Sequence, residues 1–113
     1  IITNQSGIAR GFYKEKDFYL LHKKLKREFI KKNIFFNDVL FCPHHPQGKI
    51  KQYKKKCLCR KPGNKMLIKI LSSWNIDVKK SYMIGDSKSD EYCAKKTQIK
   101  FIYSNDNFDK KIK

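Results

Sequence analysis

The sequence predicts an α/β domain built on a parallel sheet. Three observations carry that expectation. Short apolar runs stand at Ile1-Ile2-Thr3, Asp38–Phe41, Tyr82–Ile84 and Ile99–Tyr103, stretches of helical period lie between them, and polar or glycine-bearing turns follow their carboxyl ends. At 113 residues the chain suffices for one domain, expected to span 1–113 with a loop, 42–62, inserted within it. Its first residue is Ile1, and Ile1-Ile2-Thr3 reads as the tail of a buried strand, so the chain is read as a fragment.

After that strand, Asn4 to Gly11 carries two glycines and side-chain amides and is expected to be a loop. Asp17 is expected to cap a helix in which Phe18, Leu21, Leu25 and Phe29 recur at spacings of three and four, forming ordinary core, and which ends near Asn33. Asp38-Val39-Leu40-Phe41 is expected to be a buried strand that delivers Cys42 at its end. The segment from Pro43 to Pro62 is polar and aperiodic. A second helix, Asn64 to Trp74, places Leu67, Ile70, Leu71 and Trp74 on one face, with Arg60-Lys61 at its opening. Tyr82-Met83-Ile84 is a third strand, stopped by Gly85-Asp86; Ser89 to Thr97 is a helix and Ile99 to Tyr103 the last strand. No internal repeat is present. In such sheets the carboxyl ends of the strands gather the functional residues.

Twenty-seven Lys and Arg against ten Asp and Glu give a formal charge of +17. The lysines fall as scattered pairs, from Lys23-Lys24 to Lys110-Lys111, in a chain also rich in Ile and Asn. This pattern reads as solvated faces and a compositional habit, so nucleic acid is the less favoured partner. No apolar run approaches the roughly 18 residues needed to cross a bilayer, and no export signal is visible, so a cytoplasmic monomer with no membrane partner is expected.

The strongest local signal is Cys42-Pro43-His44-His45-Pro46 followed by Cys57-Leu58-Cys59-Arg60-Lys61-Pro62. A C-x-H and a C-x-C, with twelve residues between them, supply three sulfurs and one imidazole, the set of a closed tetrahedral zinc site. Cys42, His44, Cys57 and Cys59 are the expected ligands, His45 being exposed or supporting. With no open coordination position the metal is structural. The loop runs directly into Arg60-Lys61, two cations that can hold a phosphate. Asp86, after a buried strand and Gly85, can meet a hard cation such as Mg²⁺, and Asp90, one helical turn on, can support it. Thr3, Asn4, Gln5 and Ser6 present a hydroxyl and amides suited to phosphate oxygens. Cys93 reads as a core thiol.

A hydroxyl after one strand, a lysine before a helix and Gly-Asp after a later strand resemble, in that order, motifs II, III and IV of the haloacid dehalogenase superfamily of phosphohydrolases. Thr3-Asn4-Gln5-Ser6-Gly7-Ile8-Ala9-Arg10-Gly11, the two Cys/His segments and Tyr82-Met83-Ile84-Gly85-Asp86 look like its zinc-bearing branch, the D-glycero-D-manno-heptose 1,7-bisphosphate phosphatases, over residues 1 to about 103. The resemblance implies a partial haloacid dehalogenase-like, Rossmann-like parallel sheet with flanking helices and a zinc loop, its first strand missing. It also implies a magnesium-dependent hydrolase of a phosphorylated sugar, working through an aspartyl-phosphate.

By that resemblance, Thr3 and Lys61 stabilise the transferring phosphoryl group, Asp86 holds Mg²⁺, and Asn4, Gln5, Ser6 and Arg60 contact substrate. The attacking aspartate and its acid/base partner precede the threonine motif in the family and are not in this sequence, so the chain alone is expected to be inactive. Ser87 stands at a substrate-contact position where the family often carries Lys. The sibling histidinol-phosphate phosphatases share the zinc loop and motifs, but their segment after Thr-Asn-Gln differs. A basic zinc module binding nucleic acid is the alternative of another class.

Overall fold

A computed structural model describes residues 1–104 of the chain; 105–113, with Lys110-Lys111, lie outside the described residues. The chain divides into two compact units, Ile1–Cys57 and Leu58–Lys113. Each unit carries one parallel pair of strands, so the single parallel sheet expected from the sequence is described as two two-stranded pieces.

In the first unit, β1 (Ile2–Asn4) pairs with β2 (Leu40–Cys42) in the register Ile2 to Leu40, Thr3 to Phe41 and Asn4 to Cys42. The strand expected at 38–41 is displaced toward Cys42. Asp38 Oδ1 accepts the Val39 N–H at 2.8 Å, a local turn that competes with the ladder. The N–H of Gln5 donates to the Cys42 carbonyl at 2.8 Å and carries the ladder one step further. Where a loop was expected, Ser6–Ala9 form a one-turn helix, α1, with Ile8 and Ala9 fully buried and Gly11 turning the chain at φ +79°. Parallel strands need a crossover, which contains α2, Glu15–Ile30. Asp17 is not its cap but sits one turn in, accepting the Lys14 N–H at 2.8 Å.

Phe18 is the buried residue of α2, its ring centroid 4.5 Å from that of Phe41 on β2. The remaining stripe does not behave as core: Leu21 and Leu25 are 66% and 41% exposed, beside exposed Tyr19, Leu20 and Ile30. Periodicity marks which face of a helix is apolar, and among the described residues nothing covers this one fully. A 3-10 turn at Lys51–Tyr53 interrupts the long loop after β2. The preceding segment is pinned to α1, because Lys49 and Ile50 both donate their N–H to the Ala9 carbonyl, at 2.8 and 2.9 Å.

In the second unit, β3 (Tyr82–Gly85) pairs with β4 (Lys100–Tyr103), Met83 opposite Phe101 and Ile84 opposite Ile102. Helix α3 (Lys65–Ser73) and helix α4 (Lys88–Thr97) complete it. Met66, Leu67, Met83, Cys93, Ala94, Ile99 and Ile102 are its core, and Cys93 is fully buried as expected. Ile99 is core without being strand: its N–H closes α4 on the Ala94 carbonyl at 3.2 Å, after Gln98 turns the chain at φ +60°. Trp74 caps α3 and is 47% exposed, so it leaves the apolar face assigned to it. No helix among the described residues is long and apolar enough to cross a membrane.

The contact of the 48–50 segment with α1 depends on Gly48. A Cβ there would lie 2.8 Å from Ala9 Cβ and 2.9 Å from its carbonyl oxygen. Gly48→Ala is therefore expected to cost about 1–3 kcal/mol through forced overpacking, read as a lower urea midpoint with an unchanged slope.

Candidate functional site

Gly85 ends β3 at a point where no side chain fits. A Cβ on it would meet Asp90 Oδ2 at 2.5 Å and Asp90 Cγ at 2.7 Å, so the absence of a side chain lets α4 bring Asp90 against the strand end. Ser87 caps that helix: its Oγ accepts the Asp90 N–H at 3.2 Å, and Asp90 Oδ2 accepts the N–H groups of Asp86 and Ser87, each at 3.2 Å. The other carboxylate oxygen, Oδ1, receives Lys61 Nζ at 2.5 Å. Both side chains are nearly buried, at 12% and 8% exposure.

Asp90 thus holds both Lys61 and the turn that carries Asp86. Each of its oxygens is committed, one to holding Lys61 and the other to shaping the Gly85-Asp86-Ser87 turn. Burial alone would raise its carboxyl, but the Lys61 and Ser87 hydrogen bonds, the Lys61 charge and the Asp86 N–H outweigh it and hold the group below its ordinary value of 3.8. Asp86 itself is exposed at the carboxyl end of the strand, where a carboxylate can meet a hard cation. Ser87, expected to touch substrate, uses its hydroxyl in the cap and against Ser89 Oγ at 2.9 Å.

Arg60 and Lys61 do not open α3; they lie in a turn four to five residues ahead of it. The Lys61–Pro62 peptide is cis. The turn closes tightly, with the Gly63 N–H on the Arg60 carbonyl at 2.7 Å and no space for a Gly63 side chain against the Leu58 carbonyl. Asn64 Nδ2 donates to Thr97 Oγ1 at 3.1 Å, tying the start of α3 to the end of α4.

In the first unit, Thr3, Asn4, Gln5 and Ser6 follow one another off β1 and are all half-buried. Gln5 is fixed at both ends of its amide: Nε2 donates to Thr3 Oγ1 at 3.0 Å, and Oε1 accepts from the Tyr13 hydroxyl. Sequence reasoning missed Tyr13, whose ring packs so closely on Gly7 that a side chain there would overlap it.

The Cys/His loop closes as expected. The ligand atoms of Cys42, His44, Cys57 and Cys59 all lie within 4.8 Å of one another. Cys42 Sγ is 3.4 Å from Cys57 Sγ and 3.6 Å from His44 Nδ1. None of these cysteines is in a disulfide, and these spacings suit edges of a tetrahedron around an ion with bonds of roughly 2.0–2.3 Å. Burial, then the Lys55 charge, hold the His44 imidazole below its ordinary value against an opposing pull from Glu15, favouring the neutral ring that a metal requires. His45 stands apart from the cluster, its Nδ1 taken by the Gln47 N–H at 3.0 Å.

Removing Asp90 leaves Lys61 nearly buried without its carboxylate. Asp90→Ala should therefore cost about 3 kcal/mol at neutral pH. Because the folded carboxyl titrates below its unfolded value, its contribution is complete above that value and is lost as pH falls through the folded one. The stability gap between the native chain and Asp90→Ala should accordingly hold above about pH 4 and narrow below it, as measured by denaturant unfolding across an acid series.

Comparison with known proteins places this geometry. Residues 51–104 match the model of the haloacid dehalogenase-like hydrolases. The D-glycero-beta-D-manno-heptose-1,7-bisphosphate 7-phosphatase of Rhodopseudomonas palustris is 42% identical over 99 residues, which are 88% of this chain and 55% of that protein. The D-glycero-alpha-D-manno-heptose-1,7-bisphosphate 7-phosphatase of Photorhabdus laumondii is 38% identical, covering 88% and 54%. The chain spans about half the length of the curated relatives it matches. Among solved structures, the D,D-heptose 1,7-bisphosphate phosphatase of B. bronchiseptica, complexed with magnesium and phosphate, superposes with a TM-score of 0.74 at 28% identity, covering 90% of this chain and 52% of that one. In sequence and in fold, the chain is similar to the haloacid dehalogenase-like hydrolases.

Proposed function

We propose that the chain is part of a magnesium-dependent phosphatase that removes the C7 phosphate of D-glycero-D-manno-heptose 1,7-bisphosphate. The observation that carries this reading is the nearly buried Lys61–Asp90 pair beside the exposed carboxylate of Asp86, in a chain 42% identical to a phosphatase of that name. Asp90 holds Lys61 in one place, so its ammonium is a fixed charge for a phosphoryl group and needs no reorganisation as charge develops. Thr3, oriented by Gln5, donates to the same class of oxygens, and Asn4, Ser6 and Arg60 contact the substrate. Asp86 offers the hard oxygen for Mg²⁺, as the magnesium and phosphate of the B. bronchiseptica relative support. Bound there, the ion neutralises phosphate oxygens.

Three sulfurs and a neutral imidazole fit zinc in the 42–59 loop, where it holds the loop's shape and leaves no position for chemistry. The reading takes the protein as a cytoplasmic monomer, with residues 1–113 a single haloacid dehalogenase-like domain fragment, and gives no role to nucleic acid or membrane. The chain spans about half the length of the relatives it matches, so the activity is proposed of a whole protein and not of residues 1–113 alone.

Phosphate release from the heptose bisphosphate and from histidinol phosphate, followed on the full gene product with Mg²⁺, tests this reading. Preferential turnover of the heptose substrate is expected, with Lys61→Ala lowering kcat about 10²–10³-fold. No turnover of either, or preference for histidinol phosphate, overturns it. Metal analysis of the same protein should find one zinc per chain, lost in Cys59→Ser with a lower thermal midpoint; full stability without zinc would refute the structural role.

A further inference from the structure

We propose that Tyr13 is a positioning residue for Thr3: acting through the Gln5 amide, its hydroxyl keeps the Thr3 proton available for a phosphoryl oxygen. The role of Thr3 rests on the phosphatase reading above, whereas the hydrogen bonds that join the three side chains do not.

The place of Tyr13 is set by the backbone before it. The N–H groups of Gly11 and Phe12 donate to the Ile8 and Gly7 carbonyls at 3.1 and 2.9 Å, and Gly11 turns the chain at φ +79°, so the residues after α1 fold back on it. The Tyr13 ring then lies against Gly7, where any side chain would overlap it. That seat brings the phenol oxygen to Gln5, eight residues earlier, whose Oε1 accepts its proton. Thr3, Gln5 and Tyr13 are all half-buried, and all belong to the first unit.

The direction of the relay follows from a count of protons. An amide offers one accepting oxygen and two donating N–H groups, and a hydroxyl has one proton to give. Tyr13 occupies Gln5 Oε1, so the amide nitrogen faces Thr3 and donates to its Oγ1 at 3.0 Å. Thr3 accepts from Gln5 and keeps its own proton. Among the described residues that proton meets the Asn4 carbonyl at 3.4 Å, a long contact. Turned over, the amide would present its oxygen to Thr3 and take that proton, while the Tyr13 proton would lose its acceptor in a half-buried place. The phenol retains its proton, because burial pushes it above its ordinary value of 10.0.

Phosphoryl oxygens accept hydrogen bonds, so a threonine whose proton was spent on Gln5 would meet them with lone pairs alone. Tyr13, Gln5, Thr3 and a phosphoryl oxygen instead make a run of donors in one sense, each bond polarising the next. With phenylalanine at position 13 the amide is free to turn either way.

The test compares the native full gene product with Tyr13→Phe, which keeps the ring on Gly7 and removes only the hydroxyl, on the heptose bisphosphate and on histidinol phosphate with Mg²⁺. Tyr13→Phe is expected to lower kcat about tenfold with KM little changed, the pattern of an interaction realised in the transition state. The loss should recur in a Thr3→Ser background, which retains a hydroxyl, and vanish in Thr3→Val, which has no proton to orient. The Gln5 side-chain ¹⁵N–¹H signals should move in Tyr13→Phe. An unchanged kcat, an undiminished loss in the Thr3→Val background, or unmoved Gln5 signals overturns the proposal, whichever of the two esters is turned over. Turnover of neither ester by the native protein, with Gln5 signals that still move, overturns the phosphatase reading and the role of Tyr13 in it, so the two failures are told apart.

Discussion

The salt bridge between Lys61 and Asp90 is the contact on which the second unit's chemistry rests. It joins a turn ahead of α3 to the first turn of α4 across 29 residues of sequence, and it does so where water is largely excluded. A nearly buried ion pair gains little net stability once desolvation is counted. Its value here is positional. The same carboxylate that fixes Lys61 also accepts the N–H groups of Asp86 and Ser87, so one side chain sets the place of a cation and the shape of the turn bearing an exposed carboxylate. Gly85 makes this possible by leaving no atom where Asp90 must lie.

The first unit uses a different device. Its polar residues are ordered by short relays: Tyr13 on Gln5, Gln5 on Thr3, and Tyr53 on Glu15 at 2.7 Å. The Cys/His loop adds a cross-link of another kind, closing the chain between Cys42 and Cys57 through a cluster of soft ligands. Three thiolates around a divalent ion carry a net negative charge, and exposed Lys54, Lys55 and Lys56 stand next to them in the chain. The local abundance of lysine therefore has one electrostatic purpose that general basicity would hide.

Much of this was legible in the residues, and the reason differs from place to place. Cys42, His44, Cys57 and Cys59 could be read because metal chemistry restricts ligand type and spacing within a short stretch. Helices α3 and α4 were legible because nine or ten residues suffice to show a period and a cap; α1, one turn long, shows neither. The pairing of Asp90 with Lys61 could not be read, because the two lie 29 residues apart and nothing in the spacing marks them as partners. Strand β2 shifted because Asp38 satisfies Val39 locally, a choice between two hydrogen bonds that composition does not reveal.

Helix α2 has a bearing on how molecules of this chain meet one another. Tyr19, Leu20, Leu21, Leu25 and Ile30 leave apolar surface in contact with water, and Phe35 just beyond is 69% exposed. Such surface is sticky, yet every copy also carries a formal charge of +17. Mutual repulsion between like-charged particles acts only within the screening distance, about 8 Å at physiological ionic strength and about 3 Å in molar salt. The colloidal behaviour of the chain is therefore governed by salt: dilute buffer holds the copies apart, and concentrated salt lets the apolar faces find each other.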